Sequence, residues 1–116
     1  MPIIRRGQMV ESEPFLGIRS RAMVGKDTES VSLTVANNGL DPGAGVPLHI
    51  HPYHEEAILI LEGSVQGVLG AQVLTLGPGD VLLAPAGVTH SVINKSNGPA
   101  RVITIFPTTQ PNRTFV

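Results

Sequence analysis

Three of the chain's four histidines, His49, His51 and His54, fall within six positions in the stretch PLHIHPYHEEAILILEG (residues 47–63). Glu55 and Glu56 follow directly. Neutral imidazole and carboxylate together are a ligand set for divalent transition metals: Fe, Mn, Ni, Cu, Co or Zn. In an extended segment alternate side chains share a face, so His49 and His51 point the same way and can reach one ion. Pro52 interrupts the strand and opens a turn through PYHE. A hairpin there would set Glu56 opposite the histidine strand as a third ligand. Glu55, its neighbour, faces the other way and reads as a solvated charge. The fourth histidine, His90, lies far along the chain in GDVLLAPAGVTHSVIN (79–94). Bringing it to the others costs loop-closure entropy that grows only slowly with length. Closure of a barrel would do it.

The elements that must position these residues read as strands. Gly (13) and Pro (10) punctuate the sequence at short intervals. Between them lie SVSLTVAN, EAILILEG, SVQGVLG, QVLTLG, DVLLAPAG, THSVIN and ARVITIFP, each of strand length and each ending at a turn residue. No segment keeps a helical i, i+3, i+4, i+7 pattern over a dozen residues. An all-β sandwich or barrel is expected. In LGPGD, Pro78 presets φ and Gly79 can take a positive φ, so residues 77–80 suit a type II turn. Residues 37–47, NNGLDPGAGVP, read as a long loop leading to the histidines, and residues 96–100 as a second turn. The segment 107–116, PTTQPNRTFV, is expected on the surface or against a neighbour.

Composition narrows the function. The net charge is −1 with no basic block, and aromatic residues make up 3% of the chain. Nothing marks a nucleic-acid partner, and stacking platforms for bases are scarce. With no cysteine, thiolate metal sites, disulfides and Cys nucleophiles are excluded. The opening MPIIRRGQMVESEP has no apolar core of signal-peptide length. The longest apolar run, Ala57–Leu61, is too short to cross a bilayer. A cytoplasmic protein without membrane association is expected, folded as one domain over residues 1–116.

Two spacings carry more. The first is Gly43-x5-His49-x-His51-x4-Glu56-x6-Gly63, and the second is Gly79-x5-Pro85-x-Gly87-x2-His90-x3-Asn94. A fifteen-residue interval separates them. The pair resembles the two motifs of the cupin superfamily, in the short-interval form of small cupins. The resemblance implies a double-stranded β-helix, a jelly-roll barrel of two antiparallel sheets, with the motifs at 43–63 and 79–94. It also implies one divalent transition metal ion held by His49, His51, Glu56 and His90. By analogy the expected function is that of a metal-dependent enzyme with dioxygenase-like oxidoreductase chemistry on a small organic substrate. A non-redox isomerase, cyclase or decarboxylase is the alternative, as is a small-ligand-binding cupin without turnover. A homodimer is expected, through sheet faces or exchanged N-terminal strands.

Other residues invite a weaker reading. His54, in the turn, is a candidate general base or an ordinary surface histidine, and Tyr53 a candidate substrate contact or rim residue. Gly63, Gly79 and Gly87 read as conformational, and Pro85 as a strand end. Asp80 and Asn94 read as local hydrogen-bonding turn residues. Arg19 and Arg21 share a strand face and are expected outward. Ile58, Ile60 and Val92 are expected to wall an apolar site.

Overall fold

The alternation of branched apolar residues with polar ones, broken by glycine and proline, is realised as strands throughout. The computed structural model describes residues 2–116. Its strands are β1 (Glu11–Phe15), β2 (Ile18–Val24), β3 (Thr34–Leu40), β4 (His49–Ile50), β5 (Glu56–Glu62) and β6 (Val65–Leu69). Then come β7 (Gln72–Leu76), β8 (Val81–Ala84), β9 (His90–Ile93), β10 (Ala100–Phe106) and β11 (Thr114–Phe115). The only helical turns among the described residues are two short 3-10 segments, Arg6–Gln8 and Lys26–Thr28. The strands form two antiparallel sheets, ordered β1-β2-β3-β10-β5-β8 and β11-β4-β9-β6-β7. This is the two-sheet jelly roll expected from the motifs.

Side-chain parity decides what lies between the sheets. In β5, Glu56, Ile58 and Ile60 point inward and are buried, whereas Ala57, Leu59 and Leu61 point out. Ile18, Leu40, Val65, Leu82, Val92 and Val102 complete the core from both sheets. Ile60 is wholly buried, and burial of such a side chain contributes about 1.5–3 kcal/mol.

The turns follow their chemistry. Asp80 N–H donates to Gly77 O at 3.0 Å, and Gly79 takes φ +91°, as a type II turn requires. Asp80 is the expected local anchor, its carboxylate accepting from Gly77 N–H at 2.8 Å. Gly63 has φ +81°, and a Cβ there would lie 2.5 Å from Pro99 O. That glycine is needed both for its conformation and for the close approach of the chain beyond it.

Two expectations are corrected. The segment expected over 30–37 forms later, as Thr34–Leu40, so residues 37–40 are strand and not loop. Asn37, Asn38 and Gly39 look like turn residues, but β3 is central, paired with β2 on one side and β10 on the other. Tertiary pairing overrides their weak strand propensity. Nor do β4 and β5 form a hairpin: β4 pairs β9 and β11, while β5 lies in the other sheet between β10 and β8. Glu56 reaches the histidines across the barrel interior, not along a ladder.

Candidate metal centre

The second sheet positions the histidines. His49 in β4 stands directly opposite His90 in β9 in the antiparallel register, with ring centroids 4.3 Å apart. His51 lies just past β4, and its ring is 4.9 Å from that of His49. Glu56, the first residue of β5, projects from the facing sheet. All four are buried: His49 is 4% exposed, His51 2%, Glu56 4% and His90 0%. One donor atom from each lies within 4.8 Å of the others. Glu55 is exposed, as strand parity requires.

The hydrogen bonds set the tautomers. His49 Nδ1 is 2.8 Å from Pro47 O, His51 Nδ1 2.7 Å from Asn112 O, and His90 Nδ1 3.0 Å from Val88 O. A carbonyl only accepts, so each Nδ1 carries the proton and each Nε2 is left with a lone pair. Yet His51 Nε2 and His90 Nε2 lie 3.0 and 2.9 Å from one oxygen, Oε1 of Glu56. A lone pair facing a carboxylate at that distance needs a cation between them, either a proton on the ring or a metal ion. The donor set therefore fits a metal. Two donors about 2.1 Å from one ion lie at most about 4.2 Å apart, so the cluster needs only a small contraction to hold one. The three Nδ1–H···O=C bonds are the kind of outer support that orients ligating imidazoles.

Electrostatics follow from the same contacts. Burial pushes His49 down to about 4, against its bond to Pro47 O. Burial acts to raise the Glu56 carboxyl, but the bonds from His51 and His90 outweigh it and hold it at about 2. Burial lowers His90, yet the Glu56 contact prevails and raises it above its ordinary value.

A cavity of about 250 Å³ opens onto this cluster. His49, Glu56 and His90 line it, and so do Ile18, Leu40, Ile58, Val92, Val102 and Phe106. His51 sits behind the wall, its ring edge-on to Phe106 at 5.0 Å. Ile60, expected in the wall, is buried in the core and is not part of the lining.

Tyr53 and His54 are not brought into the cavity. They border a shallow depression on the outside together with Glu55, Pro85 and Thr108, and Tyr53 is 81% exposed. His54 stacks on His51 at 4.9 Å. Its Nδ1 lies 3.0 Å from Glu55 O, and its Nε2 accepts from Asn112 N–H at 3.0 Å. It thus holds the residue whose carbonyl orients His51. Asn94 anchors the turn after β9, donating to Gly98 O at 2.8 Å and accepting from Ser96 N–H at 3.0 Å. It also donates to Leu40 O of β3 at 3.0 Å, a cross-sheet tie that a local reading misses. Arg19 and Arg21 face outward, paired with Asp41 and Glu11.

Sequence reasoning missed the cavity's polar wall and its rim. Ser12, Ser20 and Asn38 stand in register across β1, β2 and β3, and they line the cavity with Thr104 and Arg113. For Ser20 a signal existed: if Arg19 and Arg21 face out, Ser20 between them faces in. For Arg113 there was none, because the segment 107–116 has no periodicity. Residues 110–116 of that segment are exposed and Thr108 and Thr109 half-buried, and the segment returns to the site and adds β11 beside β4.

A two-sheet jelly roll with three histidines and one glutamate at its inner end defines a class of small barrel proteins built around a metal-binding centre. The family model for the cupin domain matches residues 39–106, and the chain belongs to the cupin family. Among curated relatives it is 30% identical to germin-like protein 1 of Brassica napus over 86 residues, covering 70% of this chain and 42% of the relative. The chain thus spans less than half the length of such germin-like relatives. Among solved structures it is similar to the polyketide cyclase RemF from Streptomyces resistomycificus (TM-score 0.86, 20% identity, 100% of this chain and 85% of that one). It is also similar to Bacillus subtilis oxalate decarboxylase, a structure described for its Mn(II) centres (TM-score 0.81, 21% identity, 92% of this chain and 30% of that one). No helix among the described residues is long and apolar enough to cross a membrane.

Proposed function

We propose that this cupin is a metal-dependent enzyme acting on a small oxygenated organic substrate, with dioxygenase-like oxidoreductase chemistry. The observation that carries this reading is the convergence of His49, His51, Glu56 and His90 at the inner end of an apolar cavity. These four residues are the proposed ligands. A divalent metal there would supply Lewis acidity and, if it is iron, manganese or copper, one-electron chemistry. The chain's own contribution is threefold. The Nδ1 bonds fix the tautomer and orientation of the imidazoles, leaving each Nε2 free to face an ion. Glu56 stays ionised. The apolar wall of Ile18, Ile58, Val92 and Phe106 excludes water from the bound substrate.

The test is metal analysis of protein purified without added metal, followed by oxygen uptake with a panel of enols, diketones and flavonols. The expected result is a redox-active metal near one equivalent and substrate-dependent oxygen consumption. Metal-loaded protein that neither consumes oxygen nor turns over any member of the panel overturns the oxidoreductase reading.

A second reading, a non-redox cyclase or decarboxylase, is favoured by one observation: the similarity to the polyketide cyclase RemF extends over the whole of this chain. Native zinc and turnover without oxygen would select it.

We further propose a homodimer through the outer face of the larger sheet. Leu83, Ala57, Ile105 and Val35 lie in one row across β8, β5, β10 and β3, and Val81, Leu59 and Ile103 in the next. Val81 is 57% and Leu83 52% exposed, so an apolar patch, bordered by Arg21 and Arg101 beside Asn37, is open to a second copy. Sedimentation equilibrium should give a dimer that Leu83→Glu dissociates; a monomeric wild type refutes it.

A further inference from the structure

Arg113 has no place in the metal centre, yet among the described residues it is the only arginine or lysine lining the cavity. Its backbone is not loose. On one side Asn112 is held through both its polar backbone groups, N–H to His54 Nε2 at 3.0 Å and C=O to His51 Nδ1 at 2.7 Å. On the other side Thr114 and Phe115 pair with Ile50 and His49. The side chain is directed by two rings: the guanidinium carbon lies 5.4 Å from the Phe15 ring centroid and 6.0 Å from that of Phe115. Those rings are themselves in edge contact at 6.1 Å, and they come from β1 and β11, the edge strands of the two sheets. Arg113 therefore stands where the open edges of the barrel meet.

What the guanidinium lacks is an anion. Among the described residues, ion pairs engage Arg19, Arg21, His51 and His90, and Arg113 has no acidic partner. The cavity below it is mainly apolar, with the hydroxyls of Ser12 and Ser20 and the Asn38 amide on one wall. An apolar pocket of about 150 Å³ holds a benzene ring, so this one has room for a ring with a polar substituent. We infer that the cavity takes a small organic carboxylate with an apolar body, and that Arg113 binds its carboxylate. A planar fork of N–H donors suits that group better than a lysine would. The inference rests on the proposed metal-dependent reading for the ligand's other end, but the Arg113 contact itself needs no metal.

The test is calorimetric titration with benzoate and its neutral counterpart benzamide, on chelated and on metal-loaded protein. Wild type should prefer benzoate in both forms. Arg113→Met should weaken benzoate by about tenfold or more, the worth of one charge-assisted hydrogen bond. It should leave benzamide binding unchanged, and Arg113→Lys, which keeps the charge over the Phe15 and Phe115 rings, should recover part of the loss. If the chain binds no metal but the Arg113-dependent preference persists, the functional reading fails and this one stands. Benzoate binding that ignores Arg113→Met and vanishes on chelation places the carboxylate on the metal and overturns it. Absence of any binding up to millimolar benzoate overturns it as well.

Discussion

Replacing Glu56 with glutamine separates what the cluster does for folding from what it does for a metal. In the wild type, Oε1 of Glu56 faces Nε2 of both His51 and His90 at 3.0 and 2.9 Å. Both rings have already committed their Nδ1 protons to carbonyls. Without metal, this arrangement is content only while a proton sits between ring and carboxylate. A glutamine amide brings two N–H groups and can donate one to each lone pair, with both rings neutral. At pH 8 metal-free Glu56→Gln should therefore melt at or above the wild type, although a buried charged group has been altered. Metal affinity should move the other way. Four ligands share roughly 10–16 kcal/mol of binding in comparable closed sites, so losing one costs about 3 kcal/mol, a factor on the order of 100. Scanning calorimetry of chelated protein and competitive metal titration read the two effects separately. A variant that binds metal as tightly as wild type would remove Glu56 from the ligand set. A variant whose apo form melts far below wild type would refute the tautomer assignment.

Other outcomes test other parts of the structure. Chelated protein should be most stable near pH 6.5–7. Below that, unfolding is favoured because His49 is held neutral down to about 4 in the fold and gains its proton more easily when unfolded, a loss on the order of 2 kcal/mol after allowance for solvent screening. Glu56, held at about 2, adds a further loss as pH falls from about 4.5 towards 2. As pH rises through the raised His90 value, His90 gives up the proton it shares with Glu56 and its contribution disappears. Bound metal should abolish this alkaline arm, and a flat melting profile for chelated protein between pH 4 and 9 would contradict the assignment. Asn94→Ala removes the amide donor to Leu40 O and to Gly98 O, the latter keeping only the Ser96 hydroxyl at 3.1 Å, and should cost about 3 kcal/mol in denaturant unfolding; less than 1 kcal/mol would show that the cross-sheet tie is incidental. His54→Ala removes the acceptor of Asn112 N–H and should speed hydrogen exchange at that amide about tenfold or more, with metal stoichiometry unchanged; unaltered exchange would mean that β11 alone holds the segment.

The barrel and its inner cluster were legible because they depend on parity and spacing. His49 and His51 share a face by the two-residue strand period, Glu56 rather than Glu55 follows from the same rule, and strands ending in Gly or Pro stop where those residues require. Strand pairing was less legible. PYHE reads locally as a hairpin turn, but whether β4 pairs β5 or leaves for the other sheet depends on β10 and β11, which lie far along the chain. Asn37 to Gly39 form a strand only because neighbours pair with them on both sides. The rim was not legible at all. Arg113 sits in a segment with no hydrophobic period, and its position is set by Asn112 and Phe115 meeting β4 and His54, contacts that exist only once the barrel has formed.

This topology also explains why the site can sense the state of the whole barrel. Two of its donors, His49 and His90, stand on the smaller sheet, His51 lies just past β4, and Glu56 comes from the larger sheet. A metal ion held by all four, or a proton shared between Glu56 and His90, would tie one sheet to the other at a point where both are buried. Asn94 ties them again from the end of β9 to Leu40 of β3, and Phe15 and Phe115 meet at the open edge. The cavity lies between these three ties. Spreading the sheets enough to admit a larger ligand would therefore strain the metal cluster or part the Phe15–Phe115 contact. Of the two, the edge contact is the weaker: one aromatic pair contributes about 0.5–1.5 kcal/mol beyond its burial, against several for a bound metal. Entry and exit should therefore occur past Arg113, with the end formed by His49, Glu56 and His90 fixed.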